Sequence, residues 1–211
     1  MYYLSSIPEN ITPSTKCIIM LHGVWSNEQD LFALSERFSE DTLILSLQWP
    51  FSLGWGRYAW YKVDFSTGKP IYAPQDVELW YDEILSCIQE VRDKYDIKSE
   101  NIFLMGFSQG AIMSYYTLWK NPETIWGIIA LSGRLLNEID VSHIQEEKYV
   151  GKRVFIGHGE LDSVIPFSAS ETTQEFIKKL GIIPDFHSYP TSHTIIEREI
   201  WDIINFLITI K

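Results

Sequence analysis

Apolar residues in this chain gather into short unbroken runs at 17–21, 102–105 and 125–131, and into mostly apolar runs at 42–47 and 153–157. Runs of that length without polar alternation predict strands buried on both faces. A shorter strand is predicted at 185–189. Between the runs the pattern turns helical. Over 75–95, Val77, Trp80, Tyr81, Ile84, Leu85, Ile88, Val91 and Tyr95 share one stripe of an amphipathic helix. Leu31, Leu34 and Phe38 also have helical spacing, with Ser26 or Asn27 as cap and Glu28 and Asp30 favouring the N-terminus. Further helices are predicted from Ala111 through Leu118, over 168–180 with Gly181 as the stop, and over 194–210.

Strand and helix therefore alternate along the whole chain. That predicts an α/β fold, a mainly parallel central sheet with helices on both faces. Ligands of such sheets bind outside the carboxyl ends of the strands. The residues at those ends are His22, Gly23 and Val24, then Ser108 and Gln109, Ser132 and Gly133, the stretch 158–162, and Ser192 with His193. Two stretches break the alternation. Residues 49–74 are irregular and aromatic, carrying Trp49, Phe51, Trp55, Tyr58, Trp60, Tyr61, Phe65 and Tyr72. A loop of this kind walls a pocket, makes a dimer face or forms a satellite apolar cluster. Residues 135–151 are polar without a period and predict a surface excursion.

Composition narrows the class of protein. A chain of 211 residues is expected to form a single domain, 1–211. The formal net charge of −11 opposes binding to nucleic acid and to anionic membrane surfaces. Cys17 falls in a strand run and Cys87 in the helical stripe, so both read as buried thiols, which fits a reducing compartment. The first residues lack the charged and apolar regions of a signal peptide, and no apolar run reaches membrane-spanning length. A cytoplasmic protein without membrane insertion is expected.

The chemistry is concentrated at 106–110, Gly-Phe-Ser-Gln-Gly. This is G-x-S-x-G between a buried strand and a helix, the setting of a nucleophile elbow. A serine on so sharp a turn has a strained backbone, and strand and helix then pass too close for a Cβ at either flank. Ser108 would stand at the positive end of the following helix. A serine hydroxyl needs a base to take its proton and a group to orient that base. Of the five histidines, His22 lies in a strand-end turn, His143 in the polar excursion, His158 directly after a strand and His187 inside a short strand. His193 follows the last strand, where the order nucleophile, acid, base places the histidine. His158 reads as structural, bonding the loop it begins. Asp162 is the leading acid, with Glu160 and Asp185 as competitors. The oxyanion hole needs two backbone N–H groups: one from Gln109, the residue after the nucleophile, and one from the turn after the first buried strand, where Gly23 points to Val24. No histidine or cysteine spacing suggests a metal site, and no glycine-rich loop suggests a nucleotide.

These residues carry a resemblance. Leu21-His-Gly23 with Ser26-Asn-Glu28 and Asp30-Leu31, Gly106-Phe-Ser-Gln-Gly-Ala111, Leu131-Ser-Gly133, and His158-Gly159 with Asp162, Val164 and Pro166 run through nearly the whole chain. In that order they resemble the carboxylesterase/phospholipase family of small α/β-hydrolases, which includes the acyl-protein thioesterases. The resemblance implies the α/β-hydrolase fold, Ser108 as nucleophile, Asp162 as acid, His193 as base, Val24 and Gln109 as oxyanion donors, and no cofactor. Arg57 with Trp60 and Tyr61 resembles the family's aromatic substrate loop, which implies substrate-binding roles for them; Trp25 is expected to be a further substrate contact because it follows the oxyanion donor Val24, close to the reacting carbonyl. The chain departs from the family pattern at Trp25, where glycine is usual, and at Ser192, where Gly-His is usual. An indole after Val24 either turns toward the reacting carbonyl and shortens the acyl cleft, or turns outward over its loop.

Two enzymatic readings share this machinery. One is a serine esterase cleaving esters of small or medium acyl groups through an acyl-enzyme on Ser108. The other is an acyl-protein or acyl-coenzyme A thioesterase. The reading from another class is an α/β-hydrolase fold that binds ligands without catalysis, and the intact serine, aspartate and histidine argue against it.

Overall fold

The computed structural model describes residues 2–48, 51–64, 66, 70–140, 142 and 144–209. Trp49, Phe65 and His143 lie outside the described residues. The predicted strands are Cys17–Leu21 (β2), Leu43–Gln48 (β3), Ile102–Phe107 (β6), Gly127–Leu131 (β7), Arg153–Gly159 (β8) and Asp185–Tyr189 (β9). They join a seven-stranded sheet in the order β1-β3-β2-β6-β7-β8-β9, where β1 is Tyr2–Ser6. Every neighbouring pair is parallel except β1 and β3, which pair antiparallel with Tyr2 opposite Gln48.

Successive side chains of a strand point to opposite faces, and the core divides accordingly. Ile19 and Leu21 of β2 and Leu104 of β6 share one apolar cluster, covered by Pro74–Tyr95 (α2), Gln109–Lys120 (α3) and Ser168–Lys179 (α4). Ile18, Met20, Phe103 and Met105 belong to the other, covered by Glu28–Phe32 (α1) and Glu197–Ile208 (α5). The unbroken apolar runs are thus strands with helices on both faces, the α/β-hydrolase architecture.

Several elements differ from the pattern-based expectation. The first helix is a single short turn, because Leu34 begins a separate 3₁₀ turn over Ser35–Arg37. Its start is as expected: the Asn27 side chain accepts from the Gln29 N–H at 2.9 Å. The last helix begins at Glu197, not 194, because Ile196 just before it is extended, at φ −116° and ψ 162°. The aromatic stretch contains a hairpin, Phe51–Gly54 (β4) with Arg57–Ala59 (β5). Its tip turns through Gly54, Trp55 and Gly56 at φ of 85°, 60° and 70°, the left-handed region that glycine tolerates. The excursion at 135–151 is anchored by two buried side chains, Leu136 and Tyr149, and by the Tyr149 hydroxyl donating to the Trp119 carbonyl at 2.8 Å. Cys17 and Cys87 are both free and buried. No helix of the described residues is long and apolar enough to cross a membrane.

Strand order reverses its direction of growth between β2 and β6. The crevice outside the strand ends at such a point is where doubly wound sheets bind ligands. Gly23 and Val24 leave β2 there, and Ser108 leaves β6.

Candidate active site

The turn at Ser108 is sharp. Its backbone sits at φ 54°, ψ −113°, a region that costs a non-glycine residue roughly 1–3 kcal/mol. The surrounding chain holds it there. The Ser108 N–H donates to the Leu131 carbonyl at 2.8 Å, and its own carbonyl accepts from the Ile112 N–H at 3.1 Å. A Cβ on Gly106 would lie 2.3 Å from the Gly110 carbonyl, and one on Gly110 would lie 1.9 Å from the Leu21 carbonyl oxygen. Both glycines are therefore fixed by close approach, Gly106 of β6 by the start of α3 and Gly110 by the end of β2.

The loops that carry Asp162 and His193 are zipped together by backbone bonds. The Glu160 N–H donates to the Tyr189 carbonyl at 2.8 Å and the Leu161 N–H to the Thr191 carbonyl at 2.9 Å. Gly159 lets them touch, since a Cβ there would lie 2.3 Å from the Ser192 carbonyl oxygen. This brings His193 Nδ1 to 2.6 Å from Asp162 Oδ2. The other carboxylate oxygen, Oδ1, accepts from the Val164 and Ile165 N–H groups, each at 2.9 Å. Burial pushes the Asp162 carboxyl up, but the His193 hydrogen bond and the two backbone donors outweigh it and hold the group below the ordinary carboxylate value. Asp162 is buried, so its charge is spent on these partners.

Among the competitors, Glu160 is exposed and accepts from the Ser188 hydroxyl at 2.7 Å, while Asp185 pairs with His187 at 2.9 Å. Neither reaches His193. His158 is buried beside Asp162, with Nε2 at 2.9 Å from the Ile165 carbonyl and 3.6 Å from Asp162 Oδ2. A carbonyl only accepts, so Nε2 carries the proton and closes the loop 158–165. Burial lowers the His158 pKa and keeps the ring neutral.

Two clefts meet at Val24. The first, of about 560 Å³, is lined by Gly23, Val24, Phe107, Ser108 and His193, and continues along Thr194–Glu197. The second, of about 620 Å³, is lined by Val24, Trp25, Leu53, Tyr61, Val63 and Tyr72 and is more apolar. Val24 N–H belongs to the turn after β2, and Gln109 is the first residue of α3, so its N–H has no partner within the helix. The expected substrate contacts are distributed unevenly. Trp25 is 57% exposed and lines the second cleft, not the one that holds His193. Its φ of 63° explains the usual glycine at this position. Tyr61 is buried and lines the same cleft. Arg57 is exposed and donates to the Trp25 carbonyl at 3.2 Å. Trp60 is wholly buried and lines neither cleft.

Sequence reasoning did not find the side-chain work of Gln109, whose amide bonds the Trp60–Tyr61 backbone, or the buried carboxyl of Glu199. Gly157 was the available signal for Glu199, since a Cβ there would lie 2.1 Å from its carboxyl oxygen. Among the described residues, no group of three or more His, Cys, Asp or Glu side chains is placed to hold a metal.

Comparison with known proteins identifies the family and the fold. A family model described as phospholipase/carboxylesterase matches residues 4–211. An acyl-protein thioesterase 1 of Candida albicans is 31% identical over 95% of this chain and 94% of its own length. An acyl-protein thioesterase 1 of Debaryomyces hansenii is 31% identical over 70% of this chain and 65% of that protein. Among solved structures, esterase PE8 superposes with a TM-score of 0.81 at 25% identity, covering 100% of this chain and 98% of that one.

Proposed function

From the premise that this chain belongs to the phospholipase/carboxylesterase family and is a hydrolase of ester bonds, we propose that Ser108, His193 and Asp162 form its catalytic triad. The observation that carries the assignment is the 2.6 Å bond between His193 Nδ1 and a buried, multiply bonded Asp162, across one cleft from a strained serine. The Ser108 hydroxyl attacks the ester carbonyl as His193 Nε2 takes its proton. Asp162 holds Nδ1–H and stabilises the imidazolium that results. The carbonyl oxygen gains negative charge, which the Val24 and Gln109 N–H groups receive. His193 then protonates the leaving group, an acyl-enzyme forms, and water activated by the same ring releases the acid.

His193 must reach the leaving group, so that part of the substrate lies in the first cleft, which His193 lines. The acyl group extends past Val24 into the second, more apolar cleft. The thioester reading is favoured by the acyl-protein thioesterases among the relatives and requires no change in the chemistry. Comparing kcat/KM for oxygen esters and S-acyl peptides of one acyl group separates the two. Ser108→Ala should lose turnover by about 10⁶ while folding unchanged. A purified, folded variant that kept a tenth of wild-type activity would overturn the assignment.

A further inference from the structure

We infer that Trp60 and the Gln109 side chain are positioning residues that lock the two oxyanion donors to one another through His22. The inference rests on the oxyanion roles proposed above for Val24 and Gln109. Those two N–H groups leave different strands, β2 and β6, and must converge on one oxygen. Fixed donors are effective because they do not reorganise during the reaction.

The connection is a continuous chain of short hydrogen bonds. The Gln109 Oε1 accepts from the Trp60 N–H at 2.7 Å, and its Nε2 donates to the Tyr61 carbonyl at 2.8 Å. The Trp60 indole Nε1–H donates to the His22 carbonyl at 2.6 Å. The two rings pack with centroids 5.5 Å apart. His22 Nδ1 lies 2.7 Å from the Gly23 carbonyl. That carbonyl only accepts, so Nδ1 carries the proton; Nε2 is buried and has no hydrogen-bond partner among the described residues. Burial lowers the His22 pKa, which keeps this neutral tautomer.

The last bond in the chain acts on the donor itself. The Gly23 carbonyl and the Val24 N–H belong to one planar peptide unit. Fixing the carbonyl fixes the direction of the N–H, and drawing electron density to the oxygen makes that N–H a better donor. The other end of the chain is the side chain of the residue whose backbone supplies the second donor. His22, Trp60 and Gln109 are all buried, so each bond forms where a lost partner is costly. Trp60 therefore acts through its neighbours, not on the substrate.

The test is Trp60→Phe, which keeps a ring in the core and removes the indole N–H. Removing an oxyanion donor outright costs about 10²–10³ in kcat, so misaiming one should lower kcat by about 10–100-fold. KM for a short p-nitrophenyl ester should stay within about twofold, because the loss appears in the transition state. A trifluoromethyl ketone, whose carbonyl adds the Ser108 oxygen and becomes an alkoxide in the hole, should bind more weakly by the same factor as kcat. Gln109→Met keeps the backbone N–H and the side-chain volume but loses both amide bonds. It should reproduce the pattern, and the double variant should lose much less than the product of the two single losses. Unchanged kcat and ketone affinity in folded Trp60→Phe or Gln109→Met overturns the inference, as does a lower melting temperature with kcat per active site intact. A wild-type protein that neither hydrolyses the ester nor reacts with a fluorophosphonate overturns the proposed function instead.

Discussion

Replacing Asp162 with asparagine tests how the acid acts. The two carboxylate oxygens have different partners: Oδ1 accepts two backbone N–H groups, and Oδ2 accepts the His193 Nδ1–H. An amide has one oxygen and one NH₂, so only one orientation keeps the backbone bonds. Turning the NH₂ toward Val164 and Ile165 would lose two hydrogen bonds, each worth about 0.5–1.5 kcal/mol net and more when buried donors are left unpaired. The asparagine is thereby held with its oxygen on the backbone and its NH₂ facing His193. His193 must then accept at Nδ1 and carry its proton on Nε2, the tautomer that cannot take a proton from Ser108. The expected loss is about 10⁴ in kcat, the scale seen when a triad histidine is held in the wrong tautomer. The assay is kcat and kcat/KM on p-nitrophenyl butyrate, with the melting temperature measured alongside. KM should change little, because no substrate contact is removed. A folded variant within tenfold of wild-type kcat would refute the reasoning.

Other expectations follow from single contacts. The Glu199 carboxyl is pushed up to about 8, chiefly by burial, from an ordinary value of 4.5. The folded chain therefore keeps a proton that the unfolded chain releases. Stability should fall as pH rises from about 5 to 8, and Glu199→Gln should flatten that slope in thermal melts; an unchanged slope removes Glu199 as its source. Gly110→Ala would press a Cβ to 1.9 Å from the Leu21 carbonyl oxygen, so the helix must shift. Melting temperature and kcat should fall together, and an unaltered kcat would mean that the elbow tolerates the displacement. Trp25→Gly removes a left-handed non-glycine residue and an indole from the second cleft. It should raise kcat/KM for octanoyl and palmitoyl esters relative to acetyl, and an unchanged chain-length profile would place the acyl group elsewhere.

The sheet was legible because its central strands are buried on both faces. Ile18, Ile19, Met20 and Leu21 have nowhere polar to point, and the unbroken run says so. Tyr2–Ser6 gave no such signal, since an edge strand with half-exposed side chains reads like any surface segment. The β4–β5 hairpin was hidden for a related reason. Its turn is Trp55-Gly56 flanked by Gly54, without the asparagine or aspartate that usually marks such a turn. The serine elbow and its glycines were legible as a local constraint, because Gly106 and Gly110 answer to contacts within a few residues or at one neighbouring strand end. The Gln109–Trp60–His22 connection was not, since it joins residues 49 and 38 positions apart that share no pattern. The same holds for Trp60, whose aromatic neighbours suggested a pocket wall while its own side chain is buried.

The central claim is that the reaction passes through an acyl group on Ser108. Mixing the protein with p-nitrophenyl acetate, quenching in acid within the first turnovers and digesting for mass spectrometry tests it most directly. The account predicts a single acetyl group on the peptide carrying Ser108, formed as fast as the p-nitrophenol burst and absent from Ser108→Ala. Turnover by the wild-type protein with the acetyl group on another residue, or an undiminished burst in Ser108→Ala, would contradict it.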